Sequence, residues 1–171
     1  SLVMWGAGNE SDKPFGPAID MMGRLSLELD GSRPFHRGEA WGGSDHNYNC
    51  WWDDAHLNHN LNMTSPFWGE FGIASLPHIE SVRRYLAEEK DRWPSRPGDH
   101  FRHHTPIFGT MGEFGKLSQY SGYFMPDTIL AEFITGSQLA QVVGVRHTLE
   151  RARTLWPETT GALYYKMNDN Y

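Results

Sequence analysis

The sequence predicts an α/β fold that forms roughly half of a TIM (β/α)8 barrel, with parallel strands and long loops at the site face. Strand and helix patterns alternate along the 171 residues, which favours a parallel sheet covered by helices. Four or five strand candidates are present, about half of a barrel that takes roughly 250 residues. Several strands end in glycine-rich turns that carry polar residues, at the face where such barrels build their sites.

The amino-terminal part is predicted to contain a strand, a helix and an extended segment. A short strand runs into the turn that ends at Glu10. Residues 17–29 have apolar side chains at helical spacing and begin with a proline, which suits the first turn of a helix. Residues 32–35 are expected to be extended, because the residue before Pro34 is pushed out of the helical region.

The second half is predicted to supply two further strands and two helices. We expect a strand over 66–70, then a helix over 75–86 that begins with a serine cap. A longer helical pattern covers 127–155 and is interrupted near Gly136, and the last strand follows Gly161.

Two long stretches carry no clear period and are predicted to be loops. Residues 37–64 combine tryptophan, tyrosine and histidine with many polar residues, which is typical of a binding surface, although we expect Trp51 to be buried. Cys50 is interpreted as a small buried residue. Residues 91–125 are expected to form an irregular connection with short helical pieces, and loops of that length usually serve a site.

Composition limits the possible partners. With 39% apolar and 13% aromatic residues, the chain can bury one core. The net charge of −6 and the absence of a basic stripe argue against nucleic acid or an anionic membrane as partner. No apolar run approaches the roughly 20 residues that span a bilayer, and a single cysteine excludes an internal disulfide framework. Because both ends read as strands, we expect residues 1–171 to be one partial domain, truncated at both ends. No compartment follows from these features.

Two glutamates are the strongest candidates for chemistry. Glu10 and Glu70 each lie where a predicted strand runs into a glycine-rich turn, so both would point toward the site face of a barrel. Two carboxylates among aromatic residues are what glycoside cleavage requires. A lone glutamate near a turn is usually a surface residue, so the interpretation depends on the segments around the pair.

Five segments, in order, resemble the catalytic barrel of family 2 glycoside hydrolases, the group of β-mannosidases, β-galactosidases and β-glucuronidases. They are WGAGNE at 5–10, Arg33-Pro34, His46-Asn47-Tyr48, GEFG at 69–72, and the segment from Gly161 to Asp169. The resemblance implies strands four to eight, the carboxyl-terminal half of that α/β TIM barrel, and spans nearly the whole chain. It has departures: Tyr165 stands in place of a tryptophan, Gly69 in place of a serine, and only 60 positions separate the two glutamates.

The resemblance implies a retaining, exo-acting glycosidase of the β-mannoside or β-galactoside type that works by double displacement. Glu10 would be the general acid/base, Asn9 would bind the sugar 2-hydroxyl, and Glu70 would be the nucleophile. The pair should lie about 5–5.5 Å apart. The charge of Glu70 and partial burial are expected to favour the protonated form of Glu10, while hydrogen bonds keep Glu70 ionised. No metal or organic cofactor is implied.

The substrate would be a carbohydrate held by aromatic and polar side chains. Aromatic faces match the C–H faces of a pyranose, so Trp41, Trp68 and Tyr165 are candidate platforms, with core packing an equally good interpretation of each. His46 is a candidate hydroxyl partner, and Tyr48 in the same segment is a further candidate substrate-binding residue. The other expected partners are the missing half of the barrel and accessory β-sandwich domains.

Two rival interpretations remain open at this point. One is a non-catalytic carbohydrate-binding or structural barrel fragment, because a barrel without its first strands has open edges. The other is a metal site, since histidine pairs can ligate zinc, but nine histidines also cluster by chance. The candidate ligands are Asp53, Asp54, His56 and His59 in one group and His100, His103 and His104 in another.

Overall fold

The computed structural model describes residues 2–10, 16–52, 55–88, 93, 101, 104 and 112–167. Five strands and five α-helices lie in these ranges, together with a 3-10 helix at His59–Asn62. The strands are β1 (Trp5–Gly6), β2 (Phe35–His36), β3 (Ser44–Asn47), β4 (Phe67–Phe71) and β5 (Gly161–Tyr164). The α-helices are α1 (Pro17–Leu29), α2 (Asn49–Trp52), α3 (Ile79–Tyr85), α4 (Gly112–Ser121) and α5 (Leu130–Thr154).

All strand pairs in the described ranges are parallel, as predicted. β1 pairs with β2 in one sheet, and β3, β4 and β5 form a second sheet in chain order. Parallel strands joined in order through helices are the arrangement of a barrel fragment. The two sheets do not close into a barrel within the described residues, so the coarse fold class holds as a mixed α/β unit with parallel strands.

The predicted loop over 37–64 is wrong in part. It contains β3, α2 and the 3-10 helix. β3 has the sequence SDHN and is only partly buried along most of its length, so it lacks the apolar pattern by which a strand is recognised. The predictions for Trp51 and Cys50 within this segment are confirmed, since they are 3% and 0% exposed.

Helix α1 is confirmed with its predicted bounds, but its apolar face is not covered. Its first turn carries Pro17, and the N–H of Asp30 at its end donates to the carbonyl of Ser26. None of its residues is buried, and Met21 and Leu29 expose 56% and 83% of their surface. The amphipathic pattern therefore predicts the helix correctly. No element among the described residues buries its apolar side.

The helix predicted over 75–86 begins later than expected. α3 starts at Ile79, and its cap is His78, whose side chain accepts from the N–H of Glu80 at 3.3 Å. The predicted cap, Ser75, instead donates to Gln141 at 3.0 Å. Pro77 explains the difference, because the residue before a proline is pushed out of the helical region.

The predicted interruption near Gly136 is also wrong, because α5 is continuous over 25 residues. A Cβ at position 136 would lie 2.7 Å from the backbone oxygen of Ser121 and 3.0 Å from its Cα. Gly136 is thus the point where α5 and α4 approach closely, rather than a break. α4 itself occupies the later part of the stretch predicted to be irregular over 91–125; most of the remainder lies outside the described residues.

The core lies between the three-stranded sheet and helices α3, α4 and α5. The α5 residues that face it recur at helical spacing and include Phe133, Ile134 and Ala140. Val82 and Tyr120 are 0% and 2% exposed on the opposing helices. This packing fixes the strands of the second sheet, whose carboxyl ends carry the candidate site. None of the described helices has the length and apolar character needed to cross a membrane.

Candidate active site

The parallel strands bring the predicted catalytic residues to one edge. Glu10 follows β1, His46 lies in β3, and Glu70 lies in β4, where it is the register partner of His46. Because the carboxyl ends of parallel strands meet at the same edge, residues far apart in sequence become neighbours there. Glu10 follows a strand of the first sheet and Glu70 lies in a strand of the second, so the candidate site lies between the two sheets.

Glu70 is held in the packed part of the molecule. Its side chain is 18% exposed, and the hydroxyl of Tyr48 donates to its Oε2 at 2.7 Å. Burial, and then the hydrogen bond to Glu70 and its charge, raise the pKa of Tyr48 well above its usual value near 10. Tyr48 therefore stays protonated and remains a hydrogen-bond donor to Glu70.

Glu10 is held by its backbone and by one histidine. Its φ is 46°, in the left-handed region that residues other than glycine rarely adopt and that is often found at functional sites. Its N–H donates to the carbonyl of Glu39 at 2.6 Å, and its Oε1 lies 2.9 Å from Nδ1 of His46. The expectation of partial burial is wrong for this chain, because 61% of the Glu10 side chain is exposed.

The two glutamates and His46 form one compact group. A single ligand atom from each of Glu10, His46 and Glu70 lies within 4.8 Å of the other two. Nδ1 of His46 is 3.7 Å from Oε2 of Glu70 and so stands between the two carboxylates. Nitrogen and carboxylate oxygens at this spacing could also hold a divalent cation.

The aromatic candidates separate into accessible and buried residues. Trp41 and Tyr165 expose 43% and 52% of their surface, and the ring of Tyr165 meets Tyr48 edge to face at 6.4 Å. The contact with Tyr48 places Tyr165 beside Glu70, whereas Trp41 is accessible on the segment between β2 and β3. Trp68 is 0% exposed, so its prediction as a sugar platform is corrected: it is a core residue of β4.

The remaining predicted site residues are Asn9 and the candidate metal ligands. Asn9 is exposed on the turn before Glu10, and its backbone pairs with that of Glu39. His56 contacts Asn58 at 3.0 Å, and His59 contacts Asn49 at 3.2 Å. The rings of His104 and Tyr85 have centroids 4.7 Å apart. Asp53, Asp54, His100 and His103 lie outside the described residues, and within the described ranges the candidate metal ligands gather only at Glu10, His46 and Glu70.

The sequence analysis missed a third carboxylate in this site, Glu39. It follows β2 and lies 3.7 Å from Nε2 of His46 and 3.4 Å from Nε2 of His36. Glu39 directly follows a glycine, as Glu70 does, and lies shortly after a short strand, as Glu10 does. That repetition was the signal available, but the apolar content around it is too low to mark a strand.

Comparison with known proteins finds the fold but no family. No protein-family model matches the chain, and a search of curated proteins gives no significant match. Among solved structures, the chain is similar to the β-D-mannosidase from Dictyoglomus thermophilum, with a TM-score of 0.83 and 22% sequence identity. The match covers 98% of this chain and 23% of that protein. The chain therefore has the fold of a part of that structure and spans about a quarter of its length.

Proposed function

We propose that the chain carries the catalytic residues of a retaining, exo-acting β-glycosidase. The observation that carries this proposal is the pair of carboxylates, since oxygens of Glu10 and Glu70 lie within 4.8 Å of each other. Inverting enzymes need a separation of about 6.5–9.5 Å, to leave room for a water, whereas retaining enzymes need about 5–5.5 Å. The observed spacing supports the retaining reaction. The similarity to a β-mannosidase structure supports a glycosidase at the coarse level.

Each glutamate has a role in the proposed reaction. Glu70 attacks the anomeric carbon and forms a bond to it while Glu10 gives its proton to the leaving glycosidic oxygen. In the second step Glu10 takes a proton from water, which attacks the same carbon and releases Glu70. Glu70 suits the nucleophile because Tyr48 donates to it. Glu10 suits the acid/base because its exposed side chain can reach both a leaving group and water.

The sugar is proposed to lie against the exposed aromatics of the site. Trp41 and Tyr165 are the accessible rings, and they offer apolar faces to a pyranose. Asn9 is proposed to bind a sugar hydroxyl beside Glu10, whereas His46 is left out of this role because its two nitrogens face Glu10 and Glu39. The name of the structural neighbour makes a β-mannoside the first substrate to test, and a β-galactoside the second.

The proposal is tested with aryl glycosides of different leaving-group acidity. Glu70→Gln should abolish hydrolysis of both 4-nitrophenyl and 2,4-dinitrophenyl β-mannosides. Glu10→Ala should lose about 10²–10⁴-fold on the 4-nitrophenyl glycoside. It should lose much less in the first step on the dinitrophenyl glycoside, whose leaving group needs no proton. Azide should restore turnover to Glu10→Ala by replacing water as the nucleophile.

A matched control is available on α1. Glu28 is exposed there and lies away from the site, so Glu28→Gln should hydrolyse both substrates at the wild-type rate. Equal rates in the wild type and Glu70→Gln would sink the enzymatic proposal.

The second candidate is a non-catalytic carbohydrate-binding or structural part of a larger protein. It is favoured by the uncovered apolar face of α1, since such faces are normally packed against other elements. The remaining part of a barrel and accessory β-sandwich domains are the partners proposed to cover that face, in line with the 23% coverage of the mannosidase. Binding of β-mannosides by the chain without turnover, unchanged in Glu70→Gln, would support this candidate.

A further inference from the structure

The backbone of Glu39 is tied to the turn that carries Glu10. The N–H of Glu10 donates to the carbonyl of Glu39 at 2.6 Å, and the N–H of Glu39 donates to the carbonyl of Gly8 at 2.9 Å. These two bonds continue the parallel pairing of β1 and β2 beyond the strands. Any displacement of Glu39 therefore moves the turn that holds Glu10.

The side chain of Glu39 crosses to the second sheet and lies on Gly69. A Cβ at position 69 would overlap Oε2 of Glu39 and lie 2.7 Å from its Cδ. Gly69 directly precedes Glu70, so the absence of a side chain there is what lets a third carboxylate enter the wall of the site. Oε2 of Glu39 is buried and has no hydrogen-bond partner among the described residues.

His46 lies between Glu39 and Glu10. Its side chain is 8% exposed, with Nδ1 at 2.9 Å from Glu10 and Nε2 at 3.7 Å from Glu39. Nε2 has no hydrogen-bond partner in the described part of the chain. A neutral imidazole carries one N–H and one acceptor nitrogen, and the partner of one nitrogen sets the state of the other. A carboxylate facing Nε2 favours the proton on that nitrogen, which leaves Nδ1 free to accept from the acid form of Glu10.

We propose that Glu39 is a positioning residue that fixes the tautomer and orientation of His46, and through it the acid/base Glu10, and that Gly69 provides the space for it. This inference rests on the proposed function, because it assigns Glu39 to the step in which Glu10 donates its proton to the leaving group. It also accounts for the glycine at position 69, which the carboxylate requires.

A double-mutant cycle tests the geometry, because residues in contact give non-additive effects. Glu39→Ala removes the carboxylate, and Gly69→Ala pushes it out of place. Each single variant should lower kcat on 4-nitrophenyl β-mannoside by about 10- to 100-fold, as misplacement of a catalytic group does, with little change in KM. The double variant should be no worse than Glu39→Ala, and Glu28→Ala is the control for loss of a glutamate far from the site. Additive losses would overturn the proposal.

Two readouts separate positioning from a general structural role. The loss in Glu39→Ala should be much smaller on the 2,4-dinitrophenyl glycoside, because that leaving group does not need the acid; an equal loss on both substrates would contradict the proposal. Independently of activity, ¹⁵N NMR of histidine-labelled chain should show His46 protonated at Nε2 in the wild type. The tautomer should shift in both Glu39→Ala and Gly69→Ala, with His46→Gln used for assignment.

The NMR measurement also distinguishes the two proposals from each other. An unchanged His46 tautomer in Glu39→Ala overturns the role of Glu39, even when the wild type hydrolyses glycosides. Absence of hydrolysis by the wild type counts against the proposed function, whereas the tautomer measurement still decides whether Glu39 controls His46. Circular dichroism and thermal unfolding of each variant identify any that do not fold, and Gly69→Ala keeps the test usable when Glu39→Ala does not.

Discussion

The two sides of the candidate site differ in how they are held. The open region, which contains β1, α1 and β2, has no buried residue among those described up to Arg37. The packed region, which contains β3 to β5 and α2 to α5, includes Trp68 and Phe133 at 0% exposure. Glu10 belongs to the open region and Glu70 to the packed region. The comparison teaches that this fold can hold the proposed nucleophile, Glu70, within a packed region, while the proposed acid/base, Glu10, depends on a few polar contacts between the two regions.

Those contacts are made by side chains rather than by strand pairing. His46 contacts Glu10 and Glu39 from the packed region, and Ser44 lies 3.4 Å from His36 of β2. His46 is only 8% exposed, but polar contacts of this kind add little net stability each, because folding exchanges hydrogen bonds to water for hydrogen bonds within the protein. Single substitutions among these contacts between the two regions are therefore expected to disturb the orientation of Glu10 more than that of Glu70.

The largest expected effect tests the contrast in packing. Phe133→Ala removes a fully buried ring that packs against Trp93 with ring centroids 4.8 Å apart, and should lower the free energy of unfolding by about 3–5 kcal/mol. Met21→Ala removes a side chain that is 56% exposed on α1 and should change it by less than about 0.5 kcal/mol. Urea unfolding followed by circular dichroism measures both. A large loss in Met21→Ala would mean that α1 is covered in solution, which would break the comparison.

The second effect concerns how the packed region holds Glu70, the proposed nucleophile. Tyr48→Phe removes the hydroxyl that donates to Glu70, and a hydrogen bond to a charged group contributes about 1.5–3 kcal/mol. We expect kcat to fall by roughly 10- to 100-fold and the free energy of unfolding to fall by no more than about 1.5–3 kcal/mol. Because the pKa of Tyr48 lies above its usual value, the wild-type hydroxyl keeps its proton to beyond pH 10. Loss of the Tyr48 proton should therefore cause no fall in kcat below that pH. Unchanged kcat in Tyr48→Phe would remove the contrast between the two glutamates.

The sequence predicts the elements whose pattern is local and misses the contacts that are not. α1 and β4 are predicted because their apolar spacing and flanking glycines are visible in a short window. β3 is missed because a strand that lines a polar site carries polar residues. Glu39 is missed for a different reason: its place depends on Gly69, thirty positions away, and no local pattern records that approach. The continuity of α5 through Gly136 has the same origin, in the close contact with Ser121.

The smallest expected effect uses pH to test whether water is excluded from the core of the packed region. Burial raises the pKa of the Cys50 thiol to about 11, whereas an unfolded chain has a value near 8.5. The stabilisation from the protonated thiol is complete below the unfolded value and is lost as pH rises toward 11. Between pH 9 and 11 the free energy of unfolding should fall by up to about 1.4 kcal/mol per pH unit more in the wild type than in Cys50→Ala. Unfolding curves at pH 7, 9 and 10.5 measure this difference, and Cys50→Ala cancels the contribution of every other titrating group. If the free energy of unfolding changed equally with pH in the two proteins, the thiol would be in contact with water. The core of the packed region would then exclude water no better than the open region does.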